Sequence, residues 1–189
     1  KYNEKKLSNL LNEIISKKPD LVGFSCYMWN IECCYKLAED LKNILPNTKI
    51  LLGGPEIATE YVQNLHFDKY AIDYCVSGEG ELTFLELLKH LESGEPAASN
   101  IAGLSHRPNR NVSFTVNSKR KPFKSLSEIP SPFLKGIVDE DVLARNDIEA
   151  NLETQRGCNL RCSYCIYHKD MDRVAYSEIE RVIDEVRYV

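Results

Sequence analysis

Three cysteines, Cys158, Cys162 and Cys165, fall within eight residues of one another, in Gln155-Arg156-Gly157-Cys158-Asn159-Leu160-Arg161-Cys162-Ser163-Tyr164-Cys165. Spacings of three and then two intervening residues let one loop wrap three thiolates around a compact centre. Two metal chemistries are open to it. Structural zinc asks for a fourth Cys or His, and His168, three residues past Cys165, is placed to supply one. An iron–sulfur cubane held by three protein thiolates leaves one iron open to a substrate or cofactor, and thiolates are the usual ligands of such clusters. The other cysteines, Cys26, Cys33, Cys34 and Cys75, stand among apolar residues and are expected as buried or half-buried thiols. An odd total of seven, behind first residues that lack an apolar leader, argues against a disulfide framework.

The elements ahead of this loop read as strand–helix repeats. Asn3 is a candidate cap for a first helix, with Leu7, Leu10, Leu11, Ile14 and Ile15 at helical spacing. Residues 20–25 form a short apolar run suited to a strand buried on both faces, and a helix is expected over 31–45. Residues 49–52 make a second strand, a helix is expected over 56–64, and 74–77 make a third strand before a strong helix from Glu81 to about Leu91. Such alternation predicts an α/β fold, a doubly wound parallel sheet with helices on both faces. Ligands of such sheets sit at the carboxyl ends of the strands. Here those ends carry Ser25, Tyr27, Trp29 and Asn30, then Gly53, Gly54, Pro55 and Glu56, then Gly78, Glu79, Gly80 and Glu81. With three strands visible and no initiating Met, the expectation is that one or two strand–helix units lie upstream, so that the chain is a fragment and inactive by itself.

Between Pro96 and Ser127 there is no acidic residue, against six basic ones (Arg107, Arg110, Lys119, Arg120, Lys121 and Lys124). Residues 104–107 and 112–116 flank Pro108-Asn109-Arg110-Asn111 and predict a β-hairpin, expected as a solvated one. Ile129-Pro130-Ser131-Pro132-Phe133 reads as an extended linker. A strand over 151–154 then leads into the cysteine loop, and Ser177 with Glu180 predicts a capping box on a last helix. The expected division is residues 1–95, an α/β binding domain; 96–148, basic hairpin and linker; and 149–189, the start of a further domain. A net charge of −4 argues against a general nucleic-acid binder, and no run approaches the ~18 apolar residues of a membrane span. A cytoplasmic location is the expectation.

The cysteine spacing, the Gly before the first Cys and the aromatic before the third resemble the signature of the radical S-adenosylmethionine (SAM) superfamily. The resemblance implies a [4Fe-4S] cluster on Cys158, Cys162 and Cys165, with SAM chelating the fourth iron and Tyr164 near its adenine. It also implies reductive cleavage of SAM to methionine and a 5′-deoxyadenosyl radical that abstracts hydrogen from substrate, with a flavodoxin or ferredoxin as electron donor. Upstream, Pro19 to Ser25, Trp29-Asn30, Gly53-Gly54-Pro55-Glu56 and Gly78-Glu79-Gly80-Glu81 occur in the order of the cobalamin-binding domain that precedes the radical domain in cobalamin-dependent members. That group includes anaerobic magnesium-protoporphyrin IX monomethyl ester cyclases. The implied fold is a Rossmann-like cobalamin-binding sheet, then a linker hairpin and the first strand–helix unit of a radical SAM partial TIM barrel.

The resemblance further implies that cobalamin is held by Ser25, Tyr27, Trp29, Asn30, Gly53, Gly54, Pro55, Glu56, Gly78, Glu79 and Gly80. Ser25 can hydrogen-bond a tail inserted against the sheet, the paired glycines allow close backbone approach, and Tyr27 and Trp29 offer flat apolar surface. Taken singly, each feature has a plain structural reading as turn, core or cap. The cobalt-ligating Asp-x-His-x-x-Gly loop of classical carriers is absent. The implied reaction is methyl transfer or oxidative cyclisation at an unactivated carbon of a small molecule such as a tetrapyrrole. Two alternatives stand beside it: a methylthiotransferase-like enzyme with a second cluster on the upstream cysteines, and a non-catalytic flavodoxin-like module with a zinc loop.

Overall fold

A computed structural model describes residues 4–59, 62, 70–160, 162–165 and 174–189. The candidate cap Asn3, part of the helix expected over 56–64, and His66 and His168 lie outside the described residues. The chain divides into two compact units, Lys1–Arg120 and Lys121–Val189.

The first unit is built on a five-stranded sheet in the order β1-β2-β3-β4-β5. Helix α1 (Glu4–Lys17) precedes β1 (Leu21–Ser25), then come α2 (Ile31–Ile44), β2 (Lys49–Gly53), β3 (Tyr74–Val76), α3 (Glu81–Ser93), β4 (Leu104–His106) and β5 (Thr115–Val116). The three expected strands run parallel, with Leu21 opposite Lys49 and Leu51 opposite Tyr74. Alternating side chains of β2 and β3 feed two apolar layers. On one face Ile50, Leu52 and Cys75 pack with Cys34, Ala38 and Leu41 of α2 and with Leu11, Ile14 and Ile15 of α1. On the other, Leu51, Tyr74 and Val76 pack with Leu87 of α3 and with Ile101 and Leu104. Burial of each large aliphatic side chain in these layers contributes roughly 1.5–3 kcal/mol. Helix α3 stops where Gly94 takes the left-handed conformation at φ 83°, with its N–H donating to His90 O at 2.8 Å.

The basic hairpin differs from its expectation. Rather than standing in solvent, β4 pairs antiparallel with β3 (Cys75 opposite Ser105) and buries Leu104 and Ser105, so the hairpin completes the sheet. Its outer strand is shorter than the pattern suggested, holding only Thr115 and Val116. Arg107 is buried as well. Its guanidinium donates from Nε to Ile72 O (2.8 Å) and from Nη2 to Tyr70 O, and it stacks on Phe114. A basic side chain that satisfies backbone carbonyls is invisible to a charge count.

At the amino end of β3, buried Asp73 accepts from Ile50 N–H and from Lys42 Nζ, both at 2.8 Å. This end of the sheet is closed by paired charge.

The second unit contains α4 (Glu140–Leu143), β6 (Gln155–Arg156), β7 (Ala175–Tyr176) and α5 (Ile179–Tyr188). The strand expected over 151–154 begins later, at Gln155, and pairs antiparallel with β7. Ser177 does not cap α5. Its N–H donates to Thr154 O (2.9 Å) and its hydroxyl to Glu153 O, which leaves Glu178 at the N-cap without a side-chain bond. The capping box of this unit lies instead at Ser125 and Glu128, around a 3-10 turn over Leu126–Glu128. Arg181 of α5 donates to Leu126 O (2.8 Å) and Ile129 O (2.6 Å) while pairing with buried Glu185, and so ties the helix to that turn. No described helix is long and apolar enough to cross a membrane.

Candidate functional site

The carboxyl ends of β1, β2 and β3 lie side by side, because Ser25 is in register with Gly53. The ladder runs one step further: Cys26 N–H donates to Gly53 O (2.7 Å), and Cys26 O accepts from Glu56 N–H (3.2 Å). Gly54 sits between these bonds at φ 97°, where an added Cβ would stand 2.8 Å from both N and O of Cys26. Glycine is therefore required at 54 to bring two loops together. Gly53 differs. Among the described residues, its added Cβ would meet nothing nearer than Val76 O at 3.9 Å, and that of Gly78 would meet nothing within 4 Å. These two positions leave bare backbone at the end of the sheet. Ser77, beside them, buries a hydroxyl with no hydrogen-bond partner among the described residues.

After β1 the chain makes a tight turn whose tip carries Met28 and Trp29, exposed by 78% and 65%. Tyr27 and Trp29 stack, with ring centroids 4.7 Å apart and planes 10° from parallel. Asn30, expected as a ligand contact, has its side chain engaged within the turn. Its Oδ1 accepts from Tyr27 N–H (2.7 Å) and its Nδ2 donates to Ser25 O (2.9 Å). Ser25 and Pro55 are exposed at this end, with Glu56 and Glu79 half-buried beside them.

Beneath the turn, Cys26 and Cys34 hydrogen-bond each other. That bond, with burial, pushes the Cys26 thiol far up, and the same bond lowers Cys34 against the opposing effect of burial. Burial pushes Cys75 up to about 12. Cys26 and Cys75 thus stay protonated at neutral pH and act as apolar filler, as expected from their neighbours. All seven cysteines are free.

In the second unit the cysteine loop leaves β6 through Gly157, which is left-handed at φ 102°. The bidentate pair of Arg156 with Glu153 (2.7 and 2.9 Å) fixes its root, and the same bond lowers the Glu153 carboxyl. Leu160 N–H donates to Cys158 Sγ (3.4 Å), and Cys165 N–H donates to Cys162 O (3.0 Å). Cys158, Cys162 and Cys165 are half-buried and Tyr164 is 90% exposed. Among the described residues no three side chains of His, Cys, Asp or Glu are gathered to hold a metal. The loop thus offers three accessible thiols without bringing them together.

These two sites were compared with known proteins. Residues 3–88 match the B12 binding domain. The match takes in the turn at Tyr27–Asn30, the glycines of β2 and the Gly78–Gly80 segment. The chain is 33% identical over 177 residues to the cobalamin-dependent radical SAM methyltransferase TokK of Streptomyces tokunonensis, which covers 90% of this chain and 25% of the relative. It is 30% identical over 175 residues to the 2-(S-pantetheinyl)-carbapenam-3-carboxylate methyltransferase of Streptantibioticus cattleyicolor, with coverage of 90% and 25%. The chain therefore spans about a quarter of the length of these curated relatives. Among solved structures, the apo form of the cobalamin-dependent SAM radical enzyme OxsB superposes with a TM-score of 0.69 over 96% of this chain and 24% of its own, at 18% identity. That likeness establishes the fold: a Rossmann-like α/β sheet of the cobalamin-binding type.

The residues present fit both groups that the resemblance implied. For cobalamin, the bare backbone at Gly53 and Gly78, the orphaned Ser77 hydroxyl and the stacked aromatic pair lie at one end of the sheet. For an iron–sulfur cluster, the donor set is three free thiols on one short loop. The sequence reading missed Met28, which is more exposed than either aromatic neighbour, and the internal role of Asn30.

Proposed function

We propose that this chain is the cobalamin-binding portion, with the start of the radical SAM portion, of an enzyme that transfers a methyl group to an unactivated carbon of a small molecule. The observation that carries this reading is the open carboxyl end of the sheet. Bare glycine backbone and a stacked aromatic pair with exposed Trp29 stand there, inside the segment that matches the B12 binding domain and upstream of a Cys-x3-Cys-x2-Cys loop. Residues 1–95 supply the cobalamin contacts, 96–148 the hairpin and linker, and 149–189 the cluster loop. Ser25, Tyr27, Trp29, Gly53, Gly54, Pro55, Glu56, Gly78, Glu79 and Gly80 bind and orient the corrinoid. Cys158, Cys162 and Cys165 hold a [4Fe-4S] cluster, and Tyr164 packs near the adenine of SAM. When bound, the corrinoid supplies a transferable methyl group, and the cluster with SAM supplies one-electron chemistry.

Both curated relatives carry methyl transfer in their names and neither carries ring closure. Methyl transfer therefore replaces cyclisation of a porphyrin ester as the reading. The methylthiotransferase-like alternative needs a second cluster on the upstream cysteines, but Cys26, Cys34 and Cys75 are buried in the core. An external one-electron donor completes the scheme.

The test is anaerobic purification with hydroxocobalamin supplied, measuring corrin and iron on the same sample. Corrin with about four irons per protein supports the proposal. Bound zinc in place of iron, or no corrin, overturns it.

A further inference from the structure

The turn after β1 is held more firmly than its length requires. Four hydrogen bonds close it within the seven residues from Ser25 to Ile31. Tyr27 O accepts from both Asn30 N–H (2.9 Å) and Ile31 N–H (3.0 Å), Tyr27 N–H donates to Asn30 Oδ1 (2.7 Å), and Asn30 Nδ2 donates to Ser25 O (2.9 Å). Two of the four run through one side chain. Asn30 uses both ends of its amide on backbone, one on the residue that carries the first aromatic ring and one on the last residue of the strand. The turn is then anchored to α2, because Asn30 O accepts from Cys34 N–H (3.0 Å). At its tip stand the stacked Tyr27–Trp29 pair and Met28. A Trp and a Met exposed this far cost apolar surface in water, and stapling them in place adds lost side-chain freedom. A flat apolar ligand seated there recovers both.

We infer that Asn30 is the positioning residue of the corrinoid site: through its two amide bonds it fixes the Tyr27–Trp29 stack as a preformed platform for the corrin ring, without touching the ring. This rests on the cobalamin reading above and replaces Asn30 as a ligand contact. Asp at 30 keeps the acceptor for Tyr27 N–H and loses the donor to Ser25 O. Ala loses both. Affinity should therefore fall in the order Asn, Asp, Ala, by about tenfold for Ala, because the freed loop must be ordered on binding.

Trp29 is the single tryptophan of the chain, so its fluorescence reports this turn directly. The experiment titrates the 189-residue chain with hydroxocobalamin and, separately, with cobinamide, which lacks the nucleotide. It follows Trp29 quenching corrected for absorbance, and Trp29 anisotropy before ligand is added. Wild type, Asn30→Asp, Asn30→Ala and Asn109→Ala are compared. The last removes another bond from a backbone N–H to an Asn side chain, Asn111 N–H donating to Asn109 Oδ1, in the β4–β5 hairpin. The inference expects lower free-state anisotropy and weaker binding of both corrinoids in Asn30→Ala, an intermediate Asn30→Asp, and an Asn109→Ala that behaves as wild type. Wild type that binds neither corrinoid overturns the cobalamin reading itself. Wild type that binds both, with Asn30→Ala binding equally tightly or keeping the wild-type anisotropy, overturns the role of Asn30 alone. Equal weakening in Asn109→Ala would show a general loss of fold and would also overturn it.

Discussion

The two candidate sites of this chain are built in opposite ways. At the end of the sheet, the turn over residues 26–30 is closed by its own backbone, by Asn30 and by the ladder bond from Cys26 to Gly53, so its aromatic pair is in place before any ligand arrives. In the loop over residues 157–165, the thiols are accessible and the described bonds secure only its root and two short turns. Under the proposed function, the contrast matches what each ligand would contribute. A corrinoid binds through many weak contacts, so disorder in its platform subtracts directly from affinity. A cluster binds through a few strong iron–thiolate bonds, and metal-binding free energy is large enough to fold its own loop.

The most disruptive way to break this contrast is to remove the thiols. A Cys158, Cys162, Cys165 triple alanine variant, reconstituted anaerobically with iron and sulfide, is expected to lose nearly all bound iron while keeping wild-type corrin affinity. Iron analysis and a corrin titration on the same sample check it. Joint loss of both would merge the two sites into one.

The next prediction concerns backbone strain within the first site. Gly54→Ala meets Cys26 backbone at 2.8 Å and an unfavourable φ of 97°, so it is expected to cost about 3 kcal/mol or more of stability. Gly78→Ala at φ 78° meets open space and is expected to cost only the intrinsic left-handed penalty of about 1–2 kcal/mol. Its effect should fall on corrin binding, because the methyl group fills bare backbone. Urea midpoints set beside corrin titrations separate the two glycines.

The smallest effect is a pH dependence at β4, where His106 stands opposite Tyr74. Burial, and secondarily His90, holds His106 below its ordinary value of 6.5, and its Nε2 is buried without a partner. Above that value the imidazole is neutral in both folded and unfolded chains. As pH falls below it, the unfolded chain takes up the proton first. Stability should therefore drop as pH falls below about 6.5. Urea denaturation at several pH values should show a shallower drop for His106→Gln.

The same contrast explains how far the sequence could be read. Strands β1 to β3 and helices α1 to α3 were legible because their apolar residues keep one period and stop at Pro19, Gly53 and Gly94. The carboxyl-end residues were legible for the same reason, since strand ends follow once strands are placed. What sequence pattern does not carry is partner choice across long separations. Arg107 reads as a solvated cation but meets Ile72 O and Tyr70 O, and β4 reads as half of an isolated hairpin but joins β3. Ser177 and Glu180 match a capping box, yet the Ser177 hydroxyl is taken by Glu153 O. Asn30 reads as a residue at a strand end with an amide to offer, yet both ends of that amide bond back onto its own turn, and residue type alone does not carry that direction.

The measurement that tests the central claim most directly is corrin binding before and after cluster assembly. The purified chain, free of iron, is mixed with hydroxocobalamin, passed over a desalting column and read by visible absorbance, then re-examined after anaerobic reconstitution. The account predicts stoichiometric corrin in the iron-free protein and no further gain when iron is added. Corrin that binds only after the cluster is in place, or not at all, would contradict a preformed platform at the end of the sheet.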